Sequence, residues 1–204
     1  MNGTFSVLDA SKLPSHAFEH RSPLWWGIIG LIVIEATVFA SLVASFFYLR
    51  SNFPQWPPDG TRSPELLKPT LATLVLLASA IPMYWADSSL KQGKTFPLKV
   101  GPLISIALAL VFLAMKVVEY RDIGFRWDTH AYGSVVWAIV GFHSAHVLAL
   151  VLKTAVVTTL AWRNYFNRKR RIGVTVNGLY WYFVVIIWIP LYMTIYWASY
   201  FLSN

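Results

Sequence analysis

The chain has 204 residues, 56% of them hydrophobic and only 13% charged, with a formal net charge of +8 and no cysteine. A soluble domain carries about a quarter charged residues, so this composition excludes an ordinary soluble enzyme and calls for an apolar solvent. The absence of cysteine excludes disulfides and thiolate-ligated metal centres.

Residues 1–23 are polar, with neither a cationic start nor a small-residue cleavage site, and read as a retained cytoplasmic tail. A hydrocarbon core ~30 Å thick takes about 20 apolar residues per helix. Five stretches qualify: 24–50, 66–90, 97–120, 130–162 and 174–202. The fold expected is therefore all-α, an integral membrane bundle of five transmembrane helices occupying 24–204.

The first helix carries Glu35 ten residues past Trp25, which at 1.5 Å per residue lies ~15 Å deep. Around it are small residues four apart, Ala36, Ala40 and Ala44, beside Thr37, Ser41 and Ser45. In the second helix Pro82 removes a backbone bond and predicts a bend, as Pro190 does in the fifth. Lys116 and Glu119 in the third are three apart and can pair near one membrane edge. The fourth helix has Gly133, Ser134, Ala138, Gly141, Ala145 and Ala149. Helices in lipid associate by close backbone approach and interhelical hydrogen bonds, so the first and fourth are expected at the centre. His143 lies eleven residues past Tyr132, ~16 Å deep, with His146 one turn further on much the same face. Asp87 and Lys153 fall near the inner edge, where a snorkelling side chain needs no special role.

Charge in the loops sets the orientation. On the side of the N-terminus lie Lys12, Arg21, Lys91, Lys94, Lys99, Arg163, Arg168, Lys169, Arg170 and Arg171, ten cations. On the other lie Arg50, Arg62, Lys68, Arg121 and Arg126, five. That asymmetry predicts the N-terminus inside and the C-terminus outside. The basic run Arg163, Arg168, Lys169, Arg170 and Arg171 then faces lipid headgroups rather than nucleic acid. Aromatic residues are expected to mark the two interfaces. Trp25, Trp26, Tyr84, Trp85, Trp162, Tyr165, Tyr180 and Trp181 would mark the inner one, and Tyr48, Tyr120, Trp127, Tyr132, Tyr196 and Trp197 the outer.

An ionisable group at the bilayer centre is costly, which makes Glu35 a functional candidate, on a proton or ion pathway. The bland alternative is a neutral carboxyl donating one interhelical hydrogen bond. Depth alone allows contact with His143 or His146. Both histidines share one helix, and His16, His20 and His130 lie in the tail or at the membrane edge. No ligand set is complete, so no metal and no haem is expected on this chain. No nucleophile–base constellation, phosphate-binding glycine loop or catalytic carboxylate pair is evident, and no catalytic residue is assigned. A free-standing transporter or channel would need a lined polar path, and neither that nor an internal repeat is apparent.

Several segments together resemble one family. They are Glu35-Ala-Thr-Val-Phe39, Phe46-Phe47, Trp56-Pro57-Pro58-Asp59-Gly60, Leu76-Leu77-Ala78-Ser79, Ser89-Leu90 with Gly93, and Glu119-Tyr120. Further along stand Tyr132-Gly133-Ser134, Gly141-Phe142-His143-Ser144-Ala145-His146-Val147, Tyr180-Trp181-Tyr182-Phe183, Trp188 and Ile195-Tyr196-Trp197. In this order and spacing the chain resembles subunit III of the haem–copper terminal oxidases, the cytochrome c oxidase type. It is similar to the last five of the seven helices in larger members. The leading pair is absent, or in related short forms supplied by another subunit. Where the family often reads Trp-His-Phe-Val-Asp, this chain has Trp181-Tyr182-Phe183-Val184-Val185.

The resemblance implies a helper subunit without a redox cofactor, in the inner (cytoplasmic) membrane. Haem and copper would sit in partner subunits I and II of a proton-translocating oxidase, within the aerobic respiratory chain and its supercomplexes. Ordered phospholipid would be held by this subunit, and Glu35 would support proton uptake and catalytic lifetime. His143, His146, Lys116 and Glu119 would make polar contacts between helices. Two other readings remain: a quinol-oxidase subunit or nitric oxide reductase accessory protein of the same family, and a stand-alone transporter or channel.

Overall fold

A computed structural model describes residues 22–58, 61, 65–167 and 170–201. Tail residues 1–21, loop residues Asp59, Gly60 and Arg62, and Arg168 and Lys169 of the basic run lie outside the described residues. Five helices are long and apolar enough to cross a membrane.

The first, α1 (Pro23–Asn52), starts where Ser22 Oγ accepts from the Leu24 amide at 3.3 Å and proline opens the helix. Both are regular start signals, since the first helical amides lack intrahelical acceptors and proline has none to satisfy. The second span is two helices, α2 (Leu67–Ala78) and α3 (Ala80–Lys91), interrupted at Ser79. The sequence locates this bend at Pro82; the interruption falls three residues earlier, because proline disturbs the turn that precedes it. Ser79 is fully buried, and three spans meet on it. Its carbonyl accepts from Ser105 Oγ at 2.8 Å, its hydroxyl accepts from Trp181 Nε1 at 3.0 Å, and it donates to the Leu76 carbonyl at 2.6 Å. Backbone irregularity at membrane depth is tolerated where neighbouring helices satisfy the freed groups.

The third span is α4 (Phe96–Asp122) and the fourth α5 (Ala131–Trp162), whose first turn is capped by His130 Nδ1 accepting from the Gly133 amide at 2.8 Å. The fifth runs through α6 (Ile172–Tyr192), a π-helical turn at Met193–Trp197 and a last α turn, α7 (Ala198–Phe201). Helices α2 and α3 lie on α4, α4 lies on α5, and α5 on α6, while α1 closes the bundle against α5 and α6. Phe39, Phe46, Phe112, Ile139, Trp181 and Trp188 form the buried centre.

This arrangement places α5 at the centre, as expected, but corrects the position of α1 and of the closest helix crossing. Helix α1 is peripheral: only 11% of its spanning window is buried, against 50% for the fifth span. Its small polar residues face outward, with Thr37, Ser41 and Ser45 each bonded to the carbonyl four residues back, at 2.9, 2.9 and 2.8 Å. Self-bonded hydroxyls can face lipid without leaving an unpaired donor, which is why that stripe is no guide to the interior. On α5, Gly141 has nothing within 4 Å of where a Cβ would stand. The close crossing is instead at Gly101 of α4, where a Cβ would lie 2.5 Å from the Pro82 carbonyl oxygen.

Candidate functional site

Glu35 stands on α1 where that helix meets α5 and α6, its side chain 14% exposed. Tyr180 Oη lies 2.9 Å from Oε1 and 2.8 Å from Oε2, so one phenol donates across both carboxylate oxygens. His146 Nε2 is 3.7 Å from Oε1. The other ring nitrogen of His146 lies 2.7 Å from the Phe142 carbonyl, which can only accept, so Nδ1 carries hydrogen. Nε2 therefore faces Glu35 as a lone pair or as a second N–H. Phe39 and Phe142 pack edge-on against the His146 ring, with centroids at 5.2 and 4.5 Å. Lys153 does not simply snorkel: its Nζ stands 4.6 Å from the centre of the Tyr180 ring, the geometry of a cation–π contact.

Of the two histidines, only His146 reaches Glu35. His143, about 60° round α5 from it, is fully buried. Its Nε2 donates to the Val184 carbonyl at 3.0 Å, and its ring lies 4.5 Å from that of Trp188. His143 Nδ1 has no hydrogen-bond partner among the described residues. Three residues apart on a helix means about 300° of rotation, so a small turn of α5 divides the pair between two environments.

A second polar cluster lies near the far end of the bundle. Lys116 is 3% exposed; its Nζ donates to Glu119 Oε2 at 2.8 Å and to Tyr196 Oη at 3.0 Å. Tyr196 Oη donates in turn to Glu119 Oε1, which closes a ring of three side chains. The rings of Trp188 and Tyr196, each 4.9 Å away, and that of Phe112, at 5.8 Å, surround the ammonium. At the other end Asp87 Oδ1 accepts from Thr175 Oγ1 at 3.0 Å, and Asn177 and Thr154 bond side chain to side chain at 3.1 Å.

The residues missed from sequence are mostly aromatic. Tyr180 and Trp181, Tyr132 and Tyr196 are expected at the interfaces, yet they are buried in the bundle. A phenol or indole goes inside when its polar atom finds a partner there. Glu35 serves Tyr180, Ser79 serves Trp181, and the Lys116–Glu119 pair serves Tyr196. Of the basic run, Arg163 and Arg170 are exposed and Arg171 half-buried. Arg170 lies 6.0 Å from the Tyr165 ring, and its amide is bonded to Asn167 Oδ1 at 2.9 Å. Lys99 of α4 approaches the Trp162 ring at 5.8 Å beside that loop. Among the described residues, no group of three or more His, Cys, Asp or Glu side chains could hold a metal ion.

Five apolar spans joined by short loops, with a carboxyl–imidazole pair in the bundle, define a multi-pass membrane protein. The model of the cytochrome c oxidase subunit III family matches residues 6–200, and the chain belongs to that family. It is 30% identical to the cytochrome c oxidase subunit 3 of Thermostichus vulcanus over 200 residues, 96% of this chain and 98% of that protein. It is 32% identical to that of Lumbricus terrestris over 197 residues, 94% of this chain and 76% of that protein. With the protein of Mus musculus it shares 34% over 190 residues, 87% of this chain and 72% of that one.

Proposed function

We propose that the chain is the non-redox subunit III of a cytochrome c oxidase-type terminal oxidase, and that Glu35 and His146 hold a proton that supports proton uptake by the catalytic subunit. Haem and copper belong to partner subunits I and II in this reading, and electron transfer never passes through this chain. Its place is the inner (cytoplasmic) membrane, in the aerobic respiratory chain and its larger assemblies. A short cytoplasmic tail, residues 1–23, precedes one transmembrane domain, with the N-terminus inside and the C-terminus outside. The exposed cations Arg163 and Arg170, with Arg168, Lys169 and Arg171, bind phospholipid headgroups at the inner face. His143, Lys116 and Glu119 fasten helices to one another.

The observation that carries the reading is the polar contact at Glu35. A carboxyl about midway through the membrane is expensive unless partnered. Here a tyrosine holds both its oxygens and an imidazole fixed by its other nitrogen faces it at 3.7 Å. Such a pair can take up and release one proton with little movement of heavy atoms. The family supplies the process in which that proton has a use.

Glu35→Gln keeps the size of the side chain and one oxygen that can accept from Tyr180 but cannot exchange a proton; Glu35→Ala removes both. The proposal expects both variants to lose oxidase activity faster during turnover, with haem content and subunit composition unchanged. If Gln behaves as the parent while Ala loosens the subunit, Glu35 is only an interhelical hydrogen-bond partner and the proton role is lost.

A further inference from the structure

The last span contains the one π-helical turn among the described residues, Met193–Trp197, where the Ala198 amide bonds to the Met193 carbonyl five residues back. A π turn carries one residue more than the α-helix around it, and such turns persist where something outside the helix holds them. Two tethers do so here. Tyr192, just before the turn, bonds through its hydroxyl to Thr70 Oγ1 of α2 at 2.6 Å. Tyr196, inside it, is bound by Lys116 and Glu119 of α4. Four residues on a regular α-helix advance 400°, so residues 192 and 196 would share one face about 40° apart. With the extra residue their rings still meet, centroids 5.3 Å apart, while their hydroxyls reach different helices, Thr70 of α2 and the Lys116–Glu119 pair of α4.

We infer that the Lys116–Glu119 pair is a latch that holds the last span in its π register and thereby sets which face its final turn presents. Lys116 is buried among Phe112, Trp188 and Tyr196, and both carboxylate oxygens of Glu119 are taken, one by Lys116 and one by Tyr196. Release of Tyr196 removes the tether within the turn. The segment then relaxes to the α register, and everything beyond it rotates by about 100°, one helical step. Ala198, 8% exposed in the latched state, turns outward, and Phe201, 71% exposed, turns toward the bundle. The device connects an ion pair inside the third span to the surface offered by the end of the fifth. It does not rest on the proton role of Glu35, whose partner Tyr180 lies three turns before the π turn.

The chain has no cysteine, so a single introduced thiol reports its own site. Ala198→Cys, Phe201→Cys and, as a buried reference in α2, Ala72→Cys are each made in the full chain and alkylated with a water-soluble maleimide in native membranes. Labelling is read by mass on this polypeptide. In the parent, position 201 should react at least about tenfold faster than position 198. Lys116→Met, and Tyr196→Phe, which deletes only the hydroxyl, should raise the rate at 198 by about tenfold and lower it at 201, with position 72 unchanged. A rate at 198 within about twofold of the parent in the Tyr196→Phe background overturns the latch. So does a parallel rise at position 72, which would mean general loosening rather than a change of register.

Discussion

Two glycines that look alike in sequence should respond to alanine with opposite signs. In Gly101→Ala the new Cβ of α4 meets the Pro82 carbonyl oxygen at 2.5 Å and the Ala86 Cβ at 3.0 Å. Ordinary contact needs about 3.5 Å, so α3 and α4 would have to part by roughly 1 Å. The obstacle is backbone, which cannot swing aside as a side-chain tip could. Separation would also strain the Ser105–Ser79 hydrogen bond, 2.8 Å long and one turn further along α4. Overpacking of this kind costs about 1–3 kcal/mol, offset by the roughly 1 kcal/mol by which alanine favours a helix over glycine. The net expectation is a loss of up to about 2 kcal/mol. Gly141→Ala on α5 meets nothing within 4 Å and keeps only the favourable part, up to about 1 kcal/mol. The measurement is the thermal unfolding midpoint of the detergent-solubilised protein, followed by helical circular dichroism for parent and both variants under identical conditions. A Gly101→Ala protein as stable as Gly141→Ala would refute the claim that the backbones of α3 and α4 meet at this point.

Three further outcomes can be measured. Lys116→Met leaves Glu119 without its cation and should destabilise by about 3–5 kcal/mol, toward the lower figure because Glu119 keeps 13% exposure. Combined with Glu119→Gln the loss should shrink, and a double variant as unstable as the single one would show that packing rather than charge dominates. Thr73→Val leaves the buried Trp188 Nε1, now 2.9 Å from Thr73 Oγ1, without an acceptor. The expected cost is about 1–3 kcal/mol, read by the same unfolding midpoint, and no loss would mean that the indole finds another partner. A C-terminal reporter fusion should be active on the outer face, and activity confined to the cytoplasm would reverse the orientation read from the ten inner and five outer cations.

The five spans were legible without any structure, because length and apolarity are properties of each segment taken alone. So was the position of Glu35, His143 and His146 along their helices, which is a matter of counting along a helix of known rise. The pairing of Lys116 with Glu119 follows from their spacing of three. The partner of Glu35 did not follow, since Tyr180 lies 145 residues away and belongs to a motif that reads equally well as an interfacial belt. Nor could the sequence tell that His146 faces Glu35 while His143 faces Val184 and Trp188. It could not separate Gly101 from Gly141, or show that α1 lies at the edge of the bundle.

These gaps have one physical cause. In water the buried face of a helix is apolar and the exposed face polar, so the pattern along the chain reveals rotation. In lipid both faces meet hydrocarbon, and apolarity carries no record of which residue looks inward. The sequence by itself determined how many helices cross and how deep each polar residue sits along its own axis. The rotation of each helix, and with it the Tyr180–Glu35–His146 site, the break at Ser79 and the π turn that brings Tyr196 to Lys116, was decided only where side chains of different spans met.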